Sequence, residues 1–145
     1  MFAGLAKRYN LDKLKSILLV DDDDTTNLVN SFFIRRLDST LKVHMLNNGK
    51  DAIEFLKNAS PNEEMPCLLM LDVNMSIMNG WEFLDVYSEE LDAQLKENIV
   101  IVVLTGMDLD ENAMAMTHPN VVEMVQKPLS DIKFRALVTK HFFSN

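Results

Sequence analysis

The chain has 145 residues, of which 48% are hydrophobic and 25% charged, a composition typical of one globular domain and unlike that of a disordered or fibrous protein. Its formal net charge of −8 argues against direct binding of nucleic acid, whose phosphates require clustered Lys and Arg, but permits a basic protein partner or a divalent cation. The single cysteine, Cys67, excludes an intramolecular disulfide and a cysteine-based metal site, and favours a reducing compartment.

The first segment, residues 1–15, has neither the apolar stretch of a signal peptide nor a clear strand pattern. Its apolar residues fit one face of a short helix, although a disordered extension is equally compatible (Phe2, Leu5, Ala6, Tyr9). No run in the chain approaches the ~18 apolar residues of a membrane span. We therefore expect an N-terminal extension over 1–15 and one domain over 16–145, in a cytoplasmic protein without a membrane partner.

Five short apolar runs predict β-strands, at residues 16–20, 41–46, 67–71, 98–104 and 120–125. Four of them are nearly continuous in apolar residues, which is typical of strands buried on both faces of a parallel sheet. The second run alternates Leu41, Val43 and Met45 with polar residues, which favours an edge strand.

Segments with helical spacing of apolar residues separate these runs. The residues that define them are Leu28, Phe32 and Leu37 within 25–38; Ala52, Ile53 and Leu56 within 49–58; Phe83, Leu84, Tyr87 and Leu91; and Phe134, Leu137, Val138 and Phe142. Between the fourth and fifth strands only 110–116 is available for a helix, which Pro119 would end. Strand and helix alternate five times, which predicts a doubly wound α/β domain.

Polar residues follow four of the five predicted strands. Asp21 and Asp22 follow the first, Asp72 the third, Thr105 the fourth and Lys127 the fifth. Because ligands bind at the carboxyl ends of strands in such sheets, these side chains are candidates for one site. Each also has a structural interpretation, since aspartate and threonine often cap helices or end strands and lysine is usually a solvated surface residue.

Taken together, the five residues favour a site for a hard cation and a phosphoryl group. A magnesium-like ion binds through a few carboxylate oxygens and would neutralise the clustered charge of Asp21, Asp22 and Asp72. A carboxylate beside it can attack phosphorus to give an aspartyl-phosphate, while a hydroxyl and a lysine hold the phosphoryl oxygens. Asp23 and Asp24 are more typical of a helix N-cap, for which Thr25 is an alternative.

Four segments carry a resemblance to a known family: ILLVDDD, LLMLDVNMSIMNGWEFL, VVLTG and VQKP. In this order and spacing they closely resemble the receiver domains of two-component response regulators, from about residue 16 to the C-terminus. The resemblance implies a flavodoxin-like sheet of strand order 2-1-3-4-5 with helices on both faces. It also implies a cis peptide between Lys127 and Pro128.

By this resemblance Asp72 is the phosphoacceptor, and Thr105 and Lys127 bind the phosphoryl group. The implied ligands of Mg²⁺ are the side chains of Asp22 and Asp72, the backbone carbonyl of Asn74 and, through a water, Asp21. The implied phosphodonor is a histidine kinase or a histidine phosphotransfer protein, and the downstream protein target is unknown. As a signalling domain it would catalyse only its own phosphorylation and dephosphorylation.

Three residues depart from the family pattern. Ser76 stands where a proline usually follows the acceptor, so this loop is expected to be looser, and Asn79 replaces a frequent aspartate before Gly80. Met124 stands at the switch position, where many members carry Tyr or Phe, so a coupled rotation of an aromatic side chain is not expected.

Two alternatives remain open. A pseudo-receiver would keep the fold and bind partners without phosphate, which the Ser76 and Met124 departures would suit. A phosphohydrolase of the haloacid dehalogenase type also uses an aspartyl-phosphate, a hydroxyl and a lysine. Such enzymes carry an acidic residue two positions after the nucleophile, where this chain has Asn74, which cannot donate a proton as an acid.

Overall fold

The computed structural model describes residues 14–106 and 118–143. The apolar face expected within residues 1–15 and the helix expected at 110–116 lie outside the described residues. Within the described part, no helix is both long enough and apolar enough to cross a membrane.

Five strands form one parallel sheet: β1 (Ser16–Val20), β2 (Lys42–Leu46), β3 (Cys67–Asp72), β4 (Ile99–Thr105) and β5 (Val121–Gln126). Their order is β2-β1-β3-β4-β5, which confirms the predicted topology. In the centre of the sheet Val20 lies opposite Leu71. The next residues along these strands, Asp21 and Asp72, are therefore delivered side by side to the carboxyl end of the sheet.

Within residues 14–106 and 118–143, four longer helices flank the sheet: α1 (Asp24–Leu37), α2 (Gly49–Asn58), α3 (Gly80–Glu90) and α4 (Asp131–Val138). Single-turn helices at Pro61–Glu64 and Ala93–Lys96 were not predicted. The last predicted helix, which was expected to include Phe142, continues after α4 as a π-helical turn at Thr139–Phe143. Asp23 is the N-cap of α1, as expected, because its carboxylate accepts from the N–H groups of Thr25 and Thr26. At the start of the helix, these two N–H groups would otherwise lack a hydrogen-bond acceptor.

The core consists of two apolar layers, one on each face of the sheet. On one face the strands pack against α1 and α4, through residues such as Ile17, Leu19, Ile34, Phe134 and Leu137. On the other face they pack against α2 and α3, through residues such as Leu18, Leu69, Ile53, Leu56 and Phe83. Because β1, β3 and β4 are covered on both faces, their sequences are continuous apolar runs.

The predicted apolar face of α1 was wrong at two of its three residues, since Leu37 alone of the three packs against the core. Leu28 is 47% exposed and Phe32 is 59% exposed, and Leu37 is half-buried. The residues that α1 buries are Asn27, Asn30, Ser31 and Ile34. Helical spacing alone does not show which of two adjacent faces turns inward, and here the inward face is polar near the carboxyl end of the sheet.

The expectation that the fifth strand is buried on both faces was also wrong. β5 pairs only with β4 and forms the second edge of the sheet. Val122 is 46% exposed, whereas Val121 is buried. Glu123 lies on the same strand and contacts Lys140 and His141, so charged groups occupy this edge.

Candidate cation and phosphoryl site

The structure brings the three predicted carboxylates together at the carboxyl end of the sheet. One carboxylate oxygen from each of Asp21, Asp22 and Asp72 lies within 4.8 Å of the others. The ammonium of Lys127 lies 2.8 Å from Oδ2 of Asp21 and 3.6 Å from Oδ1 of Asp72. Lys127 therefore contacts two of the three carboxylates, and among the described residues the cluster keeps an excess of negative charge.

Asp21 is fixed at all four of its polar groups. Its N–H donates to the carbonyl of Leu46 at 3.0 Å, and its carbonyl accepts from Nδ2 of Asn27 at 2.9 Å. Its Oδ1 accepts from the N–H of Asp23 at 2.9 Å, and its Oδ2 accepts from Lys127. A side chain held in this way keeps the lysine in place and is poorly suited to moving toward a ligand.

Asp22, in contrast to Asp21, is only weakly held by its surroundings. Its side chain is exposed, and its Oδ2 lies 3.4 Å from the N–H of Ser76. A proline at position 76 would have no N–H to offer. The departure from the family pattern at this position therefore adds a weak donor beside the carboxylate that is most open to solvent.

Asp72, the last residue of β3, is 7% exposed. Burial raises the pKa of its carboxyl, and the charges of Asp21 and Asp22 act in the same direction, whereas Lys127 opposes the shift. The N–H of Asn74 faces Oδ1 at 3.4 Å. The carboxylate is thus partly desolvated and in an anionic neighbourhood, a state that a bound cation would relieve.

Lys127 is placed by β5 and by the residues next to it. Its N–H donates to the carbonyl of Thr105 at 2.6 Å, and its peptide bond to Pro128 is cis, as expected. Burial alone would lower the pKa of Lys127, but its hydrogen bond to Asp21 and the charges of Asp72 and Asp21 raise it overall. The ammonium is therefore charged at neutral pH.

The remaining candidates line the same edge of the sheet. Thr105 ends β4 and is buried. Asn74 follows Asp72 by two residues in the loop that leads to α3. Met124, at the switch position, is half-buried on β5, lies opposite Val103 and packs against the core on the α2 and α3 face.

The side chains present fit a divalent cation of the magnesium type. Such an ion takes oxygen ligands, binds through one or two carboxylates and retains several waters. Asp22 offers a solvent-facing carboxylate, Asp72 a desolvated one, and Asp21 lies close enough to act through a water. The repulsion among them is the physical reason to expect that a cation binds.

Sequence reasoning missed Asn27, which the structure shows in contact with the main chain of Asp21. The residue lies six positions after Asp21, on a helix whose inward face was wrongly predicted. The available signal was a polar residue one turn into the helix that follows the acidic pair. The spacing of residues alone does not show which group such a side chain would contact.

Comparison with known protein families gives a match over most of the chain. The family model described as "Response regulator receiver domain" matches residues 17–139. A curated relative, the "Probable methanogenesis regulatory protein FilR2" of Methanothrix harundinacea, is 29% identical over 117 residues, which are 79% of this chain and 72% of the relative.

Solved structures show the same fold. A two component response regulator from Cytophaga hutchinsonii is 28% identical with a TM-score of 0.76, over 89% of this chain and 97% of that one. A response regulator receiver protein from Dyadobacter fermentans is 22% identical with a TM-score of 0.78, over 90% of this chain and 99% of that one.

Proposed function

Because the chain belongs to the family of response regulator receiver domains of two-component systems, we propose that it accepts a phosphoryl group on Asp72 in a Mg²⁺-dependent reaction. The observation that carries the proposal is the cluster of Asp21, Asp22 and Asp72, with the ammonium of Lys127 beside Asp21 and Asp72. In this family such a domain is a signalling module. The cytoplasm is the compartment we propose for it.

The chemistry assigns a separate task to each side chain. A carboxylate oxygen of Asp72 attacks phosphorus, and the bond from phosphorus to the donor atom breaks, so that the electron pair leaves with the donor. For a phosphohistidine donor the leaving atom is an imidazole nitrogen. Lys127 and Thr105 stabilise the negative charge on the phosphoryl oxygens, and Asp21 keeps Lys127 in place.

The side chains of Asp22 and Asp72, the carbonyl of Asn74 and, through a water, Asp21 would hold the cation. When bound, Mg²⁺ neutralises the carboxylates and draws charge from the phosphoryl oxygens. Without that neutralisation an anionic donor would meet an excess of negative charge. The donor that suits the site is a histidine kinase or a histidine phosphotransfer protein, and the output is a change in a protein-binding surface.

The switch is proposed to differ from one based on a rotating aromatic ring. Met124 fills the position, and its unbranched thioether adapts its shape by changing rotamers. Phosphorylation would therefore be transmitted from Thr105 by repacking of a flexible side chain on β5, the edge strand.

The test is phosphorylation with acetyl phosphate and Mg²⁺, measured as a mass increase of the intact protein and located by peptide mapping. We expect modification of the wild type and none of Asp72→Asn. The matched control is Asp85→Asn, which removes an exposed carboxylate on α3 that is 80% accessible. Failure of the wild type to be modified, under conditions that modify another receiver, would refute the proposal.

A further inference from the structure

Asn27, on the inward face of α1, contacts the acidic pair at the main chain. Its Nδ2 donates to the carbonyl oxygen of Asp21 at 2.9 Å, and the residue is 2% exposed. Its Oδ1 is buried and has no hydrogen-bond partner within residues 14–106 and 118–143. The reversed orientation of the amide would set its oxygen against the Asp21 carbonyl, so the hydrogen-bond network defines which atom is nitrogen.

This arrangement costs stability, because a buried acceptor without a partner has lost its hydration and gained nothing in return. A leucine has nearly the same shape and would avoid that cost. Packing therefore does not account for an amide at position 27. What the amide supplies, and a leucine cannot, is a donor for the carbonyl of Asp21.

That carbonyl belongs to the peptide group that joins Asp21 to Asp22. A peptide group is planar, so a bond that fixes its oxygen also fixes the direction of the Asp22 N–H and the path of the chain into Asp22. The preceding peptide group is fixed separately, because the N–H of Asp21 donates to Leu46. The carboxylate of Asp22 is exposed and has only a long contact, 3.4 Å to the N–H of Ser76, among the described residues, so its direction depends mainly on the main chain from which it projects.

We propose that Asn27 is a positioning residue for the cation site, which orients the Asp21–Asp22 peptide so that the Asp22 carboxylate faces Asp72. The inference rests on the proposed function in one respect, that the bound ion is a magnesium-like divalent cation. Preorganised ligands bind more tightly because less ordering remains to be done on binding. Loss of a group that orients a metal ligand typically lowers metal affinity by 10–100-fold.

The first test is the dissociation constant of Mg²⁺, measured by titration calorimetry without a phosphodonor. For Asn27→Leu we expect the constant to rise by about tenfold. The matched control is Ser31→Ala, which alters a fully buried residue of the same helix whose hydroxyl donates to the carbonyl of Leu28. For this control we expect the affinity of the wild type.

The second test uses metal-free protein and amide hydrogen exchange. In Asn27→Leu we expect faster exchange at Asp23, whose N–H donates to Oδ1 of Asp21 and therefore depends on the peptide that Asn27 fixes. Ser31→Ala should leave this amide unchanged. Circular dichroism confirms that each variant is folded, and Asn27→Ala replaces Asn27→Leu if the leucine variant does not fold.

Three results would overturn the proposal or its premise. Unchanged Mg²⁺ affinity in a folded Asn27→Leu or Asn27→Ala protein overturns the positioning role. An equal loss of affinity in Ser31→Ala also overturns it, because the effect would then come from general loosening of α1. Absence of Mg²⁺ binding by the wild type overturns the cation site itself and is thereby distinguished from the first two results.

Discussion

Replacement of Gly80 by alanine tests whether the first turn of α3 fixes the loop that follows Asp72. An ideal Cβ at position 80 would lie 2.6 Å from Cα of Val73 and 3.0 Å from the carbonyl oxygen of Asp72. Carbon atoms in contact rest at about 3.5–4.0 Å, so the helix and the strand end must separate by roughly 1 Å. Both neighbours are main-chain atoms, and a rotamer change cannot relieve the contact.

The magnitude follows from two opposed effects. Overpacking of this kind costs about 1–3 kcal/mol, and the better helix propensity of alanine returns at most about 1 kcal/mol. We expect a net loss of about 1–2 kcal/mol in the free energy of unfolding, and a Tm lower by roughly 3–6 °C. Phosphorylation should slow as well, because Val73 directly follows the acceptor.

The assay is urea unfolding followed by circular dichroism, with the free energy obtained by linear extrapolation. Gly106→Ala is the matched control, since among the described residues a Cβ there would have Lys127 Cδ as its nearest neighbour at 3.9 Å, an ordinary contact. We expect this control to lie within about 0.5 kcal/mol of the wild type. Gly80→Ala as stable as Gly106→Ala would refute the reasoning.

Three further predictions follow from the charges. Asp72→Asn should raise the Tm of metal-free protein at neutral pH. The pKa of Asp72 is raised in the folded state, so the wild type loses stability as pH rises through that pKa, and the asparagine avoids this loss. The difference in Tm should vanish in melts at a pH below the ordinary pKa of 3.8. Lys127→Met should lower the unfolding free energy by about 1–3 kcal/mol in urea titrations, because it leaves the buried Asp21 carboxylate without its cation; equal stability would contradict this. Burial raises the pKa of Glu123, but hydrogen bonds from His141 and Lys140 lower it overall. Ionised Glu123 therefore stabilises the fold at a pH above the ordinary pKa of 4.5, and this stabilisation is lost as pH falls through the lowered pKa. Glu123→Gln should therefore be less stable than the wild type at neutral pH, and the difference in Tm should close in acid.

The sheet was predictable because its signals are local. Runs such as CLLML and IVIVVL are apolar on both faces, as expected for strands that are covered by helices on both sides. Their order along the chain restricts the possible sheet topologies. Asp21, Asp22, Asp72 and Lys127 were predicted to meet for the same reason, because parallel strands end at one edge.

The rotation of α1 was not predictable in this way. Its sequence contains apolar residues on a face that includes Leu28 and Phe32, yet the structure turns Asn27 and Ser31 inward. The Nδ2 group of Asn27 donates to the carbonyl of Asp21, a contact that depends on the folded path of the main chain, whereas the hydroxyl of Ser31 donates within the helix to the carbonyl of Leu28. The spacing of apolar residues along a helix shows where hydrophobic side chains lie, but it does not show which groups a polar side chain will contact in the folded protein.

The position of Lys127 between two carboxylates has a consequence for the speed of any transfer at this site. Its ammonium is 2.8 Å from Asp21 and 3.6 Å from Asp72, so a change of partner requires a movement of less than about 1 Å. A charge that is already in position contributes little reorganisation energy when the reacting group arrives, whereas solvent dipoles would have to turn.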